Sequence, residues 1–188
     1  MILAGDLKPG TKFIYNNEPY SVVDVVFVKP GKGGAFARTK MKNLITSLMR
    51  EVTFSTDEKV TPLFLDYKTV QYLYNQGNKY FFMDQDSYEE VSIDKDNIKE
   101  TVNYLVEQET YTLVFWESRL LNINPPIHMN MVVVDTVPGV RGDTAQGSVK
   151  KPATMSTGLI IQVPLFINID DIIRIDTRTS EYVERIKK

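Results

Sequence analysis

Cysteine is absent from the 188 residues, and histidine occurs once, at His128. The first absence removes disulfides and thiolate metal sites, which fits a reducing compartment. The second rules out a histidine metal cluster and leaves any Ser-His-Asp triad dependent on one residue. His128 follows Pro125-Pro126, at what reads as a domain junction, and a packed or solvated role is expected for it. No apolar stretch approaches the ~20 residues of a membrane span. The segment Met1 to Gly10 soon reaches Asp6, Lys8 and Pro9, unlike a signal peptide. A cytoplasmic, non-membrane protein is therefore expected. The carboxylates Asp84, Asp86, Glu89 and Glu90 match no calcium-loop spacing and read as a solvated acidic face. Nothing supports an enzyme, a metal or a cofactor. The net charge of −2 gives no global sign of nucleic-acid binding. Local sign matters more, because salt screens exposed charges beyond roughly 8 Å.

What is present concentrates in Val28-Lys29-Pro30-Gly31-Lys32-Gly33-Gly34-Ala35-Phe36-Ala37-Arg38. A β-branched run, Val22 to Val28, leads in, and a run of alternating polarity, Phe36 to Leu44, leads out. Strand-forming residues around a glycine-containing loop predict a hairpin with Lys32 at its tip. Pro30 stiffens the entrance, and Gly31, Gly33 and Gly34 remove side chains that would hold a partner at a distance. From Val25 to Arg50 there is no acidic residue, while Lys29, Lys32, Arg38, Lys40, Lys42 and Arg50 fall there. Arg38, Lys40 and Lys42 share parity, so a strand presents them on one face. A basic finger of this kind suits a phosphate-rich crevice. The competing reading is a solvated tip and a charge-protected sheet edge. A P-loop is a poor fit, since Lys32 is followed by Gly33 rather than Ser or Thr and the next segment reads as a strand rather than a helix.

Length allows one or two domains, but the punctuation predicts three small β-modules, residues 1–64, 65–127 and 128–188. In the first, strands are expected over Lys12 to Tyr15, Tyr20 to Val28, Ala35 to Ser47 and Arg50 to Phe54, the pattern of a small barrel. In the second, Lys68 to Tyr74 and Lys79 to Met83 flank Asn75-Gln76-Gly77-Asn78, a strong hairpin signal. One helix is expected from Asp94 to Glu107, with Ile98, Val102, Leu105 and Val106 on one face and Asp94 as N-cap. Tyr111 to Trp116 and Arg119 to Ile123 follow as strands. The third module starts with Met129 to Val137, continues through a strand-pair region from Thr157 to Ile169, and closes with Ile172 to Ile175 and Tyr182 to Ile186. Modules two and three each have the length of a five-stranded OB-like barrel. No internal repeat is visible. Tyr72, Tyr74, Tyr80, Phe81 and Phe82 could stack on bases, but their alternation predicts that half of them fill a core.

Several longer stretches resemble the bacterial translation elongation factor P family. They are Lys29-Pro30-Gly31-Lys32-Gly33 with Ala35-Phe36-Ala37-Arg38, Val134 through Ala145, Lys151 through Gly158 with Val163-Pro164-Leu165-Phe166, and Asp176 through Arg185. The likeness runs in order along nearly the whole chain. Residues 129–188 argue against the two-domain archaeal and eukaryotic relatives with hypusine. Two departures stand out: Asp170 occupies a turn position where the family usually carries glycine and Asn17 one where it often does, and both residue types tolerate left-handed geometry.

The resemblance implies a KOW/SH3-like first domain and two OB-fold domains in an L-shaped, tRNA-like arrangement. It implies a factor that binds the 70S ribosome between the P and E sites, positions the P-site peptidyl-tRNA and promotes peptide bond formation at consecutive prolines. Lys32 matches the residue that receives a post-translational extension from a modifying enzyme and reaches the CCA end. Gly142, Asp143 and Thr144 match a loop approaching the small subunit and the E-site codon of the mRNA. Tyr182 and Arg185 match C-terminal residues that contact RNA. Lys29, Arg38, Lys40 and Lys42 would meet the RNA backbone. A monomer without cofactor is expected. The rival function is a general OB-fold protein for single-stranded RNA or DNA, which would bind free oligonucleotides tightly without ribosomes.

Overall fold

The computed structural model describes residues 1–31, 33–138 and 149–186. Its elements are almost all antiparallel strands, in three sheets. The chain divides into two compact units, Met1–Asp66 with Phe115–Leu121, and Tyr67–Val114 with Asn122–Lys188.

The first sheet contains β1 (Ile2–Leu3), β2 (Lys12–Tyr15), β3 (Glu18–Val28), β4 (Phe36–Asn43), β5 (Met49–Ser55) and β6 (Lys59–Pro62), in the order β1-β6-β2-β3-β4-β5. The β2–β3 turn is tighter than the sequence suggests: only Asn16 and Asn17 lie outside the ladder, with φ of 51° and 60°, and Glu18 and Pro19 already belong to β3. Two positive φ values in a two-residue loop match the right-handed twist of the strands, and asparagine accepts them. The core gathers Leu7, Phe13, Tyr20, Met41 and Phe54. The Phe13 and Tyr15 rings meet Phe54 edge-on, with centroids 6.0 and 5.6 Å away. Each buried large side chain contributes about 2 kcal/mol by leaving water.

The second sheet contains β7 (Asp66–Gln76), β8 (Lys79–Asp84), β9 (Glu90–Asp94), β10 (Thr110–Trp116) and β11 (Arg119–Asn124), in the order β11-β10-β7-β8-β9. The third contains β12 (His128–Thr136), β13 (Lys150–Met155), β14 (Ile160–Pro164), β15 (Ile172–Asp176) and β16 (Glu181–Ile186), in the order β14-β13-β12-β15-β16. The two share one connectivity: the first strand is central and pairs with the second and the fourth. This is a structural repeat that the sequence does not disclose. Bulges between Tyr72 and Tyr74 and between Val133 and Asp135 add a residue to one strand, which bends it and curls each sheet into an OB-like half-barrel. Of the five aromatics, about half of which were expected in a core, Tyr72, Tyr80 and Phe82 are buried, joined by Tyr111 from β10, while the bulge turns Tyr74 out although it shares the parity of Tyr72.

Four expectations need correction. The helix expected from Asp94 to Glu107 is a single α-turn, α1 (Lys95–Ile98), running into a 3-10 segment, Lys99–Tyr104. Asp94 both ends β9 and stands directly before α1, so the expected cap position adjoins one turn only. Asn97, Thr101, Val102 and Asn103 are weak helix formers, and the Tyr111 hydroxyl takes over the backbone beyond them. It donates to the Tyr104 carbonyl and accepts from the Val106 N–H, both at 2.8 Å. Second, the strand expected from Ala35 to Ser47 ends at Asn43, where its side chain starts a turn. Third, only Ile160–Pro164 is extended in the region expected to pair from Thr157 to Ile169. Its partner is β13, whose Lys150-Lys151-Pro152 start does not read as strand. Fourth, Asp84 is not part of a solvated face, because it is buried at the end of β8.

Candidate functional site

The β3–β4 hairpin keeps its ladder to Val28 opposite Phe36, which leaves residues 29 to 35 as the connection. The base is pinned by Thr56, whose backbone N–H and Oγ1 both donate to the Ala35 carbonyl, at 3.1 and 3.2 Å. Beyond it Lys29, Pro30, Gly31, Gly33 and Gly34 are exposed, and none makes a hydrogen bond among the described residues. Gly33 has φ of 114°, which side-chain-bearing residues rarely adopt. Gly31 and Gly34 face open space, so nothing within the described residues requires their lack of a side chain. Lys32 lies outside the described residues.

On β4 the parity argument holds. Ala37, Thr39, Met41 and Asn43 are buried, while Arg38, Lys40 and Lys42 are exposed on the opposite face. That face is less purely basic than the linear sequence implies. The ladder brings Asp24 and Glu51 to either side of Lys40, and Glu51 pairs with Arg38 at 3.6 Å. With both partners more than half exposed, this ion pair is worth little and yields readily to a competing anion.

Tyr182 and Arg185 lie on β16. The Arg185 guanidinium is 3.6 Å from Asp171 and 5.4 Å from the centre of the Phe166 ring, an exposed ring that supports it through cation–π attraction. Tyr182 is half-buried, and burial raises its pKa. Gly142, Asp143 and Thr144 fall outside the described residues. The strands that flank them are clamped: Thr136 Oγ1 donates to the Pro152 carbonyl at 2.8 Å, and the buried Lys151 ammonium donates to the Val137 carbonyl at 2.7 Å. Reading the sequence missed Lys151, because a lysine beside a proline gives no burial signal.

A device that the sequence reading did not find recurs in all three sheets. Asn43, Asp84 and Asp176 each end a strand, and each accepts from the backbone N–H two residues on, at 2.8, 2.9 and 2.9 Å. Asn43 and Asp84 also take the N–H three residues on, at 2.9 and 3.2 Å. The bonds from the Asp86 and Ser87 N–H hold the Asp84 pKa down, helped by Lys68 at 3.3 Å. Asp176 lies well below the usual carboxylate range, first through the Arg178 side chain and then through the Arg178 N–H and His128, which stands opposite it in the ladder. Among the described residues, no group of three or more acidic or histidine side chains could hold a metal ion.

Three family models match this chain in order. "Elongation factor P (EF-P) KOW-like domain" matches residues 3–60, "Elongation factor P (EF-P) OB domain" 65–123, and "Elongation factor P, C-terminal" 129–185. The chain belongs to the elongation factor P family. Elongation factor P of Thermoanaerobacter sp. (strain X514) is 46% identical over 186 residues, 99% of this chain and 100% of that one. Its counterpart in Ruminiclostridium cellulolyticum is 46% identical over 187 residues, covering 100% of both. A solved structure described as eukaryotic translation initiation factor 5A from Methanococcus jannaschii shares the fold over 65% of this chain and 94% of its own, with a TM-score of 0.55 at 24% identity. Elongation factor P is a translation factor and not an enzyme; it binds ribosome and tRNA and relieves stalling at polyproline stretches.

Proposed function

We propose that this elongation factor P works through the β3–β4 tip, with the Lys32 amine meeting the CCA end of the P-site peptidyl-tRNA. The observation that carries this reading is the exposed, internally unbonded loop around position 32, set on a strand that turns Arg38, Lys40 and Lys42 outward. Proline's ring constrains its nitrogen and stiffens a proline-rich nascent chain. Holding the peptidyl-tRNA end in a reactive pose lowers the barrier through positioning alone. Such a factor needs no acid, base or metal of its own.

In this reading the chain binds the 70S ribosome between the P and E sites as a monomeric, cytoplasmic factor of three modules, 1–64, 65–127 and 128–188. Lys29, Arg38, Lys40 and Lys42 meet phosphate and 2′-hydroxyl surfaces by shape and charge. Gly142, Asp143 and Thr144 approach the E-site codon, Tyr182 and Arg185 contact RNA, and a dedicated enzyme extends Lys32. Arg185 would meet a phosphate beside Asp171, which lies 3.6 Å from one guanidinium nitrogen and leaves its other donors available.

Lys32→Ala tests the central claim. Its unfolding free energy should stay within about 0.5 kcal/mol of the parent, as for exposed positions generally, while translation through a polyproline reporter should be lost. Full rescue by the variant would overturn the role of the tip. Ribosome affinity should also fall as salt rises, since each phosphate contact releases counterions.

A further inference from the structure

A bulge in the β3–β4 ladder decides what stands beside the cations of β4. Val22 is buried opposite Met41, so unbroken alternation would turn Asp24 into the core as well. The register shifts between Val22 and Asp24, with Val23 as the extra residue, and Asp24 comes to lie exposed beside Lys40. On the other flank the exposed Glu51 of β5 stands opposite Lys40 and reaches Arg38 at 3.6 Å. The rows above and below carry no acid: Arg38 lies between Val26 and Thr53, and Lys42 between Ser21 and Met49. Three cations therefore run in file along β4 at intervals of about 6.8 Å, with one acid a strand's width of about 4.8 Å to each side of the middle one.

A phosphate backbone laid along β4 meets Arg38, Lys40 and Lys42 in turn and runs between the two acids. One laid across β4 reaches Lys40 only by bringing its neighbouring phosphates against Asp24 and Glu51, where like charges repel. Lysines without such neighbours would accept a strand in any direction, as general nucleic-acid binding does. We infer that Asp24 and Glu51 are specificity-determining residues, which admit an RNA strand along β4, on the line of the hairpin, and weaken the hold on RNA in other directions. This rests on the reading above that Arg38, Lys40 and Lys42 meet RNA, and deepens it by giving the acids of that face a role. Stability is not that role, since ion pairs this exposed contribute little to it.

The test compares binding of the full chain to purified 70S ribosomes and to a free RNA duplex of arbitrary sequence, at one salt concentration. Asp24→Asn combined with Glu51→Gln should bind the duplex roughly fivefold tighter, because two nearby repulsions are removed. Its affinity for 70S ribosomes should change by less than about twofold, since a strand that already runs along β4 avoids both acids. Both residues are exposed, so its melting curve should match the parent's. Asp86→Asn combined with Glu89→Gln removes the same charge from the exposed β8–β9 turn and should leave duplex binding within about twofold. No gain on the duplex, an equal gain on ribosome and duplex, or an equal duplex gain in the β8–β9 variant overturns the inference. Lys40→Gln separates this from the underlying reading and should weaken binding to both partners. If it weakens neither, the RNA face and this inference fall together. If it weakens both while Asp24→Asn with Glu51→Gln leaves the ratio of the two affinities unchanged, only the role of the acids falls.

Discussion

At the β8–β9 turn the Asp84 carboxylate accepts from the Asp86 and Ser87 N–H groups at 2.9 and 3.2 Å, and the Tyr88 N–H closes on the Asp84 carbonyl at 2.9 Å. At the β3–β4 connection the bonds stop at Ala35, and Lys29, Pro30, Gly31, Gly33 and Gly34 make none among the described residues. Both segments end antiparallel hairpins, but only the first satisfies its own backbone. A turn whose N–H groups are taken by a buried side chain has nothing left to offer a partner, and its sequence serves the fold. A loop whose polar groups are bound only by water can exchange water for a partner at little cost. The contrast separates positions that hold this protein together from positions left free for a partner.

The largest effect expected on the structural side is at Asn43, the same device in the first sheet. Its Nδ2 donates to Glu18 at 2.9 Å while its Oδ1 holds two N–H groups. Asn43→Ala should cost about 1–3 kcal/mol, because buried donors lose their partner, and polyproline rescue at moderate temperature should survive. It is the reverse of the outcome expected of Lys32→Ala, in which stability is spared and function lost. A stable but inactive Asn43→Ala protein would break the separation.

The pH response sharpens the same comparison. Asp84 and Asp176 titrate below their ordinary value in the folded chain. Their stabilisation is therefore complete above the unfolded-state value of about 3.9 and is lost as pH falls through the lower folded-state values. Urea midpoints taken from pH 6 down to pH 2 should drop. In Asp84→Asn, whose amide oxygen can still accept both N–H groups, the drop should be smaller. An identical acid profile in that variant would mean that the Asp84 charge does not stabilise the turn.

How much of this was legible in the sequence depended on the range of the interaction that decides each element. Parity alone put Arg38, Lys40 and Lys42 on one face, and the shared parity of Tyr80 and Phe82 fits one inner side of a barrel, because a strand alternates whatever lies beside it; it fails at Tyr72 and Tyr74, equal in parity but parted by the bulge between them. The β13 strand was missed because Lys150-Lys151-Pro152 becomes extended only through its neighbours β12 and β14. Asp84 read as one more surface carboxylate, since its burial follows from where β8 ends and not from any residue near it in the chain. Asp24 and Glu51 were invisible as neighbours of Lys40 for the same reason: pairing across strands brought them there. The shared connectivity of the second and third sheets left no trace in residue identity, since it is a property of pairing order.

The smallest effect is expected at Asp170, a turn position for which the resemblance implies glycine. Asp170 has φ of 68°, its backbone N–H donates to the Val133 carbonyl at 2.9 Å, and its carboxylate makes no hydrogen bond among the described residues. The residue is there for its backbone alone. Glycine would relieve left-handed strain of about 1 kcal/mol, less for aspartate than for bulkier residues. It would also return conformational freedom to the unfolded chain, a loss of about 0.4–1 kcal/mol. The two nearly cancel, so Asp170→Gly should move the unfolding free energy by less than about 0.5 kcal/mol, whereas Asp170→Val keeps the strain and should cost about 1–2 kcal/mol. Urea titration of the pair reads the difference. If Asp170→Gly were as damaging as Asp170→Val, the carboxylate would be making a contact of its own, and this turn would belong with Asp84 rather than with the loop around position 32.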